Sequence, residues 1–232
     1  MNSPAKSISK TIRSVVARRL LPAGVLAIGL LCVSGCNIVA GAAYIVHGPE
    51  KVPKIYSLDP TKKTVVFVDD TVPVVKSRMQ RVKIATTAEG LLLNEGKMEH
   101  LIASQDLLAI VERERFSKPM GSVEMGEAVG AEVVVYAQML SFDLTADQQS
   151  FMPSAQVRVK VMDVKTKKRL WPEGVQEWYS LEVKSKEKQG GPPPTLSERD
   201  AEFMALAQRV GTSIAHIFVT HEANKQDGRI DQ

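Results

Sequence analysis

From Gln156 to Val161 polar and apolar residues alternate without a break, with Val157, Val159 and Val161 on one side and Gln156, Arg158 and Lys160 on the other. A period of two fits a strand and not a helix, and a strand apolar on one face and charged on the other belongs to an antiparallel pair with one wet side. The valine face needs a cover, and the C-terminal third supplies one. Phe203, Leu206, Ala207, Val210, Ile214, Ile217 and Phe218 fall on a single 3.6-residue stripe, preceded by Ser197 as an N-cap candidate with Glu198 and Asp200 in the first turn. That pattern predicts a long helix packed across the sheet and fraying near His221.

Thr64-Val-Val-Phe-Val68 is a buried-type strand ended by Asp69-Asp70. A helical pattern begins at Ser77 (Met79, Val82, Ala85, Leu93), a short strand covers Leu101–Ala103, and Gln105–Arg115 forms an amphipathic helix. Ser122 opens a short helix that Gly130 closes, and Val133–Tyr136, apolar on both faces, is a central strand. After a turn over Asp163–Lys168, Arg169–Trp171 begins a return strand that resumes at Trp178–Val183, past an interruption at Pro172 and Gly174. The expected fold is α/β: a mixed five-stranded sheet of three parallel-type strands, joined by right-handed crossovers, plus an antiparallel pair, covered by helices. One domain is expected over 62–222, with a polar disordered tail over 223–232.

The N-terminus has a different character. Lys6, Lys10, Arg13, Arg18 and Arg19 precede an apolar run, Leu20–Val33, and no acidic residue occurs before Glu50. Fourteen residues of helix cover about 21 Å, short of a ~30 Å hydrocarbon core, and Pro22, Gly24 and Gly29 weaken a permanent span further. The run reads as the cleavable segment of a signal peptide over 1–35. Val33-Ser34-Gly35-Cys36 then resembles the bacterial lipobox: an aliphatic residue and two small ones for signal-peptidase recognition, then the cysteine whose thiol takes a diacylglycerol. The resemblance implies a lipidated Cys36 followed by a tether over 36–61. Asn37 in place of Asp implies sorting to the outer membrane, with the domain facing the periplasm. Cys32 and Cys36 are the sequence's two cysteines, so disulfides and cysteine-based metal sites are excluded from 37 onwards.

Charge is distributed to match. The 30 Lys+Arg exceed the 26 Asp+Glu by four, and five of the basic residues lie in that N-terminal segment. The body is near neutral, which gives no electrostatic footprint for nucleic acid.

Val129-Gly-Ala-Glu-Val-Val-Val-Tyr136 is similar to the Gly-Ala-Asp-plus-strand motif of the curli-secretion lipoprotein family and its small envelope relatives. Val161-Met-Asp-Val-Lys-Thr166 with Leu170-Trp171 resembles their "Asp, two residues, Thr-Gly, then Trp" hairpin, a layout shared with the amino-terminal domain of the Tol-Pal translocation protein. The likeness spans about 62–220 and implies a fold used for protein–protein work. Glu132 stands where Asp is usual and Lys167 where Gly is usual. No long alternating segment supplies the membrane hairpins of a secretion channel, so pore formation is not implied.

Motifs for catalysis are missing: no G-x-S-x-G, no P-loop, no H-E-x-x-H and no G-x-G-x-x-G. His47, His100, His216 and His221 are scattered, and the last two, five apart, do not share a helix face, so no metal site and no cofactor is expected. Asp69 and Asp70 are the candidate ligand-binding residues, because carboxylates at the C-terminal end of a parallel strand lie where open α/β sheets bind ligands. The leading expectation is a non-enzymatic, membrane-anchored binding or assembly module with other envelope proteins as partners. The alternatives are a ligand-binding protein or hydrolase at Asp69/Asp70, and a secretion-channel-like component.

Overall fold

The computed structural model describes residues 50–69, 73–113, 120–145, 150–188 and 191–223. Val33, Ser34, Gly35, Cys36, Asp70 and the tail from 224 lie outside the described residues. Lys51–Val52 (β1) is the first described strand, followed by β2 (Thr64–Asp69), α1 (Arg78–Asn94), β3 (Leu101–Ile102), α2 (Ser104–Arg113) and α3 (Ser122–Val129). Then come β4 (Val133–Thr145), β5 (Phe151–Asp163), β6 (Arg169–Trp171), β7 (Tyr179–Lys184), α4 (Leu196–His216) and β8 (His221–Glu222).

The main sheet runs β3-β2-β4-β5, with β6 and β7 both on the far side of β5. β2 is parallel to β3 and β4, while β4 and β5 are antiparallel. This is the expected mixed α/β sheet, its return strand split in two at the Pro172–Gly174 interruption. β1 and β8 form a separate antiparallel pair, so the two ends of the described chain meet.

The packed body begins earlier than residue 62. Both Ile55 and Tyr56 N–H donate to the Ile217 carbonyl, at 2.8 and 3.0 Å. The Tyr56 ring stacks on Trp171 and meets Phe218 edge-on, and Leu58 is buried. A segment with apolar side chains and satisfied backbone groups docks rather than drifts.

Strand alternation divides two cores. Val66, Val68, Val133, Val135, Ala137, Val157, Val159 and Val161 point to the side covered by α1 and α4, where Ile84, Leu92, Leu206, Val210 and Ile214 are fully buried. Val65, Phe67 and Val134 point the other way, to Leu107 of α2 and Met125 of α3. The helix-end expectations shift by a residue or two. Thr195, not Ser197, caps α4 in a reciprocal capping box with Glu198. Gly121 rather than Ser122 is the N-cap of α3, and Gly130 closes it at φ 68°. Ser77 precedes α1 with extended backbone but makes no side-chain cap. Lys167, where the resembled hairpin carries Gly, takes a left-handed φ of 59°.

Candidate binding face

The second core stops at Tyr136 on β4 and Met162 on β5, so α2 and α3 cover β3, β2 and only the adjoining ends of β4 and β5 on their face of the sheet. Beyond it, alternation along β4 and β5 brings Tyr136, Gln138, Arg158 and Lys160 onto one surface, since Tyr136 pairs with Lys160 and Gln138 with Arg158. Trp178, on the segment between β6 and β7, lies across them with its ring centroid 5.7 Å from that of Tyr136.

The cations are held by these rings. Lys160 Nζ is 4.1 Å from the Trp178 centroid and 5.2 Å from that of Tyr136, and the Arg158 guanidinium is 4.9 Å from Trp178. Arg158 Nη2 donates to Gln138 Oε1 at 2.7 Å, while its Nε is buried and unbonded. Burial holds the Lys160 ammonium below its ordinary value; the nearby Glu177 opposes that shift, and Arg169 and Arg158 add to it. The surface therefore offers a half-buried guanidinium, a partly dehydrated ammonium, a primary amide and a broad indole. Such groups suit carboxylates and flat rings on a partner.

Asp69 belongs to this face. Half-buried at the end of β2, it aligns with Gln138, and its Oδ2 accepts a short hydrogen bond of 2.5 Å from the Tyr136 hydroxyl. It is tied to the aromatic ladder, not a solvated strand end. The sequence shows Arg158 and Lys160 as the wet side of a strand; it marks Trp178 only as part of the return strand, because its lateral placement depends on the cross-strand register and on the path of the 172–178 segment.

Elsewhere, an open and mainly apolar groove of about 420 Å³ lies between α1, the start of α2 and α4, lined by Met79, Val82, Thr86, Gln105 and Met204 with Arg78 and Lys83. The imidazoles of His216 and His221 stack with centroids 3.5 Å apart, because the chain turns after α4 instead of extending it. Among the described residues no group of three His, Cys, Asp or Glu side chains is placed to hold a metal, and no helix is long and apolar enough to cross a membrane.

No family model matches the chain, and no curated protein matches it. Among solved structures it is similar to the PelC dodecamer from Paraburkholderia phytofirmans, at 12% identity over 72% of this chain and 96% of that one, with a TM-score of 0.37. It is similar to lipoprotein GNA1162 from Neisseria meningitidis, at 9% identity over 65% and 99%, also with a TM-score of 0.37. A third is the hypothetical protein CT253 from Chlamydia trachomatis, at 21% identity over 66% and 94%, with a TM-score of 0.38. Likenesses this loose identify neither a family nor a function.

Proposed function

We propose that this chain is a lipid-anchored module of the bacterial envelope that binds another envelope protein and carries out no chemistry of its own. Cys36 takes the lipid, with Val33, Ser34 and Gly35 forming the peptidase recognition sequence, and the domain faces the periplasm from the outer membrane. The single observation carrying the binding role is the uncovered face on which Trp178 and Tyr136 hold Arg158 and Lys160. Cations positioned by aromatic rings on a surface the helices leave bare match the composition of binding hot spots, where Trp, Tyr and Arg dominate. The partner chemistry that fits is an acidic patch with an aromatic or apolar centre.

Two measurements test this. Growth with a fatty-acid analogue should label the wild-type protein, and Cys36→Ser should abolish the label and leave the protein unprocessed or soluble; a labelled, membrane-bound Cys36→Ser protein refutes the anchor. A photo-crosslinking residue at the exposed Gln156, on the Arg158 face, should trap one stoichiometric envelope partner. The same probe at the exposed Ala109 of α2 should trap none. Equal or absent capture at both sites refutes the assignment of the face.

A further inference from the structure

The binding face is bounded by β7, whose inner edge pairs with β5. Ser185 N–H donates inward to the Pro153 carbonyl at 2.9 Å, which fixes the phase of the ladder. In an antiparallel pair, backbone groups point alternately to the two sides. Val183 and Leu181, in phase with Ser185, therefore bond inward, while the N–H and C=O of Ser180, Glu182 and Lys184 point away from the sheet. Among the described residues no strand pairs with that outer edge. β7 is thus a six-residue margin strand with three residues' worth of open backbone groups. The basic hairpin residues Arg158 and Lys160, by contrast, sit on an interior strand and protect no edge.

We infer that β7 pairs antiparallel with β7 of a second copy of this chain, about a two-fold axis at Val183, joining two sheets into one. The charges select the occupant and the register. Outward-pointing residues must oppose outward-pointing residues, and centring the axis on Val183 sets Glu182 directly against the partner subunit's Lys184, and Lys184 against the partner subunit's Glu182. Centring it on Glu182 or on Lys184 opposes like charges, which disfavours pairing. Centring it on Leu181 sets Glu182 against the uncharged Ser180 of the partner subunit and so forms no pair of opposite charges. Within one copy Lys184 Nζ already lies 2.8 Å from Glu182 Oε1, so both side chains reach across the spacing required and would form a four-member alternating cluster on pairing. The two inward-bonding Val183 residues meet at the axis on the apolar side, and the two central residue pairs exchange about four backbone hydrogen bonds. Isologous contacts of this kind close on themselves and stop at a dimer. A short ladder is weak in dilute solution, and confinement to a membrane surface raises the effective concentration that drives it.

Charge reversal tests the register directly. Full-length, processed protein in detergent micelles and in vesicles is assayed by chemical cross-linking and analytical ultracentrifugation. Wild type should dimerise, E182K and K184E alone should each weaken dimerisation at least tenfold, and the double swap E182K/K184E should restore it, since each cross-strand pair is then again opposite in sign. S180P with K184P removes two outward N–H donors and should abolish the dimer while the protein stays folded by circular dichroism. A wild-type protein that is monomeric in both settings overturns the inference. So does a dimer indifferent to the single reversals, or a double swap that fails to rescue a folded protein, because each requires another interface or another register.

Discussion

Glu89 sits on α1 yet serves α2. Its Oε1 accepts from the Ser104 N–H at 2.7 Å, satisfying a donor at the start of the next helix from inside the core. Burial raises its carboxyl above the ordinary glutamate value, against the opposing hydrogen bonds from Ser104. A raised folded value means the native state binds the proton more tightly than the unfolded chain does. Its stabilising contribution is therefore complete below the ordinary glutamate value and is lost as pH rises through the folded one. Glu89→Gln keeps an acceptor for Ser104 and removes the titration. The variant should gain stability relative to wild type as pH climbs from about 4 to about 7, measured by urea midpoints; a constant difference across that range contradicts the account. Lys167 is a second such residue. At φ 59° it occupies backbone that favours glycine, so Lys167→Gly should stabilise the hairpin by about 0.5–1 kcal/mol in the same assay. Asp163 compensates in the wild-type turn, accepting from the Thr166 N–H at 2.7 Å and its hydroxyl at 2.8 Å, and those bonds hold its carboxyl below the ordinary range. The Asp…Thr spacing of this turn is visible in the sequence. The service Glu89 does is not, because an acid on a helix reads as solvated until a second element is packed against it.

Helices α1 and α4 cross where Gly211 faces the Ile84 carbonyl. A Cβ there would collide with that oxygen and reach within 2.8 Å of Thr87 Cβ, so the missing side chain sets how closely the helices approach. Gly90, within α1, has open space around the same hypothetical atom. The two should respond oppositely to one substitution: Gly211→Ala should cost about 1–3 kcal/mol through overpacking, whereas Gly90→Ala should add about 0.5–1 kcal/mol by restoring helix propensity. Thermal melting of the two variants checks both signs, and a shift in the same direction for both would contradict the crossing geometry. Most of the stripe that builds α4 was legible, since Leu206, Ala207, Val210 and Ile214 recur at helical spacing and all are buried, but Phe203 is only part-buried, and Ile217 and Phe218 lie past the helix, which ends at His216 rather than near His221. The length of the β4–β5 hairpin was not. Both strands run for 13 residues, to Thr145 and from Phe151, beyond the segments that alternation marks. Register shifts between Met139 and Ser141 and between Asp143 and Thr145 break the period of two there, so the extension carries no clean pattern in the sequence.

Across the molecule, the fold treats its two sheet faces unequally. One is sealed by α1 and α4 along its length, while α2 and α3 seal only part of the other, and all the candidate residues within the described chain collect on the part left open. Asp69 and Arg158 share that surface but support different functions, which makes them separable. If the site performed acid–base chemistry, removing its carboxylate would cost about 10²–10⁴-fold or more in rate, with little effect on folding. If it binds a partner through cations on aromatic rings, reversing Arg158 would carry the loss, and a central contact of that kind is worth about 2 kcal/mol or more, near thirtyfold in affinity. Asp69→Asn with Asp70→Asn retains an acceptor for the Tyr136 hydroxyl, so its expected effect is a modest loss of melting stability, about 1 kcal/mol, with the cellular role intact. Arg158→Glu gives up the bond to Gln138 and the contact with Trp178, and should leave lipidation and processing unchanged while partner capture at Gln156 falls by at least tenfold. The decisive comparison is the phenotype of the two variants at equal envelope abundance. A lost phenotype in the asparagine pair beside a normal one in Arg158→Glu would assign the work of this face to its carboxylates and make the protein a ligand-binding or hydrolytic one. The opposite pattern assigns it to the cations held by Trp178 and Tyr136.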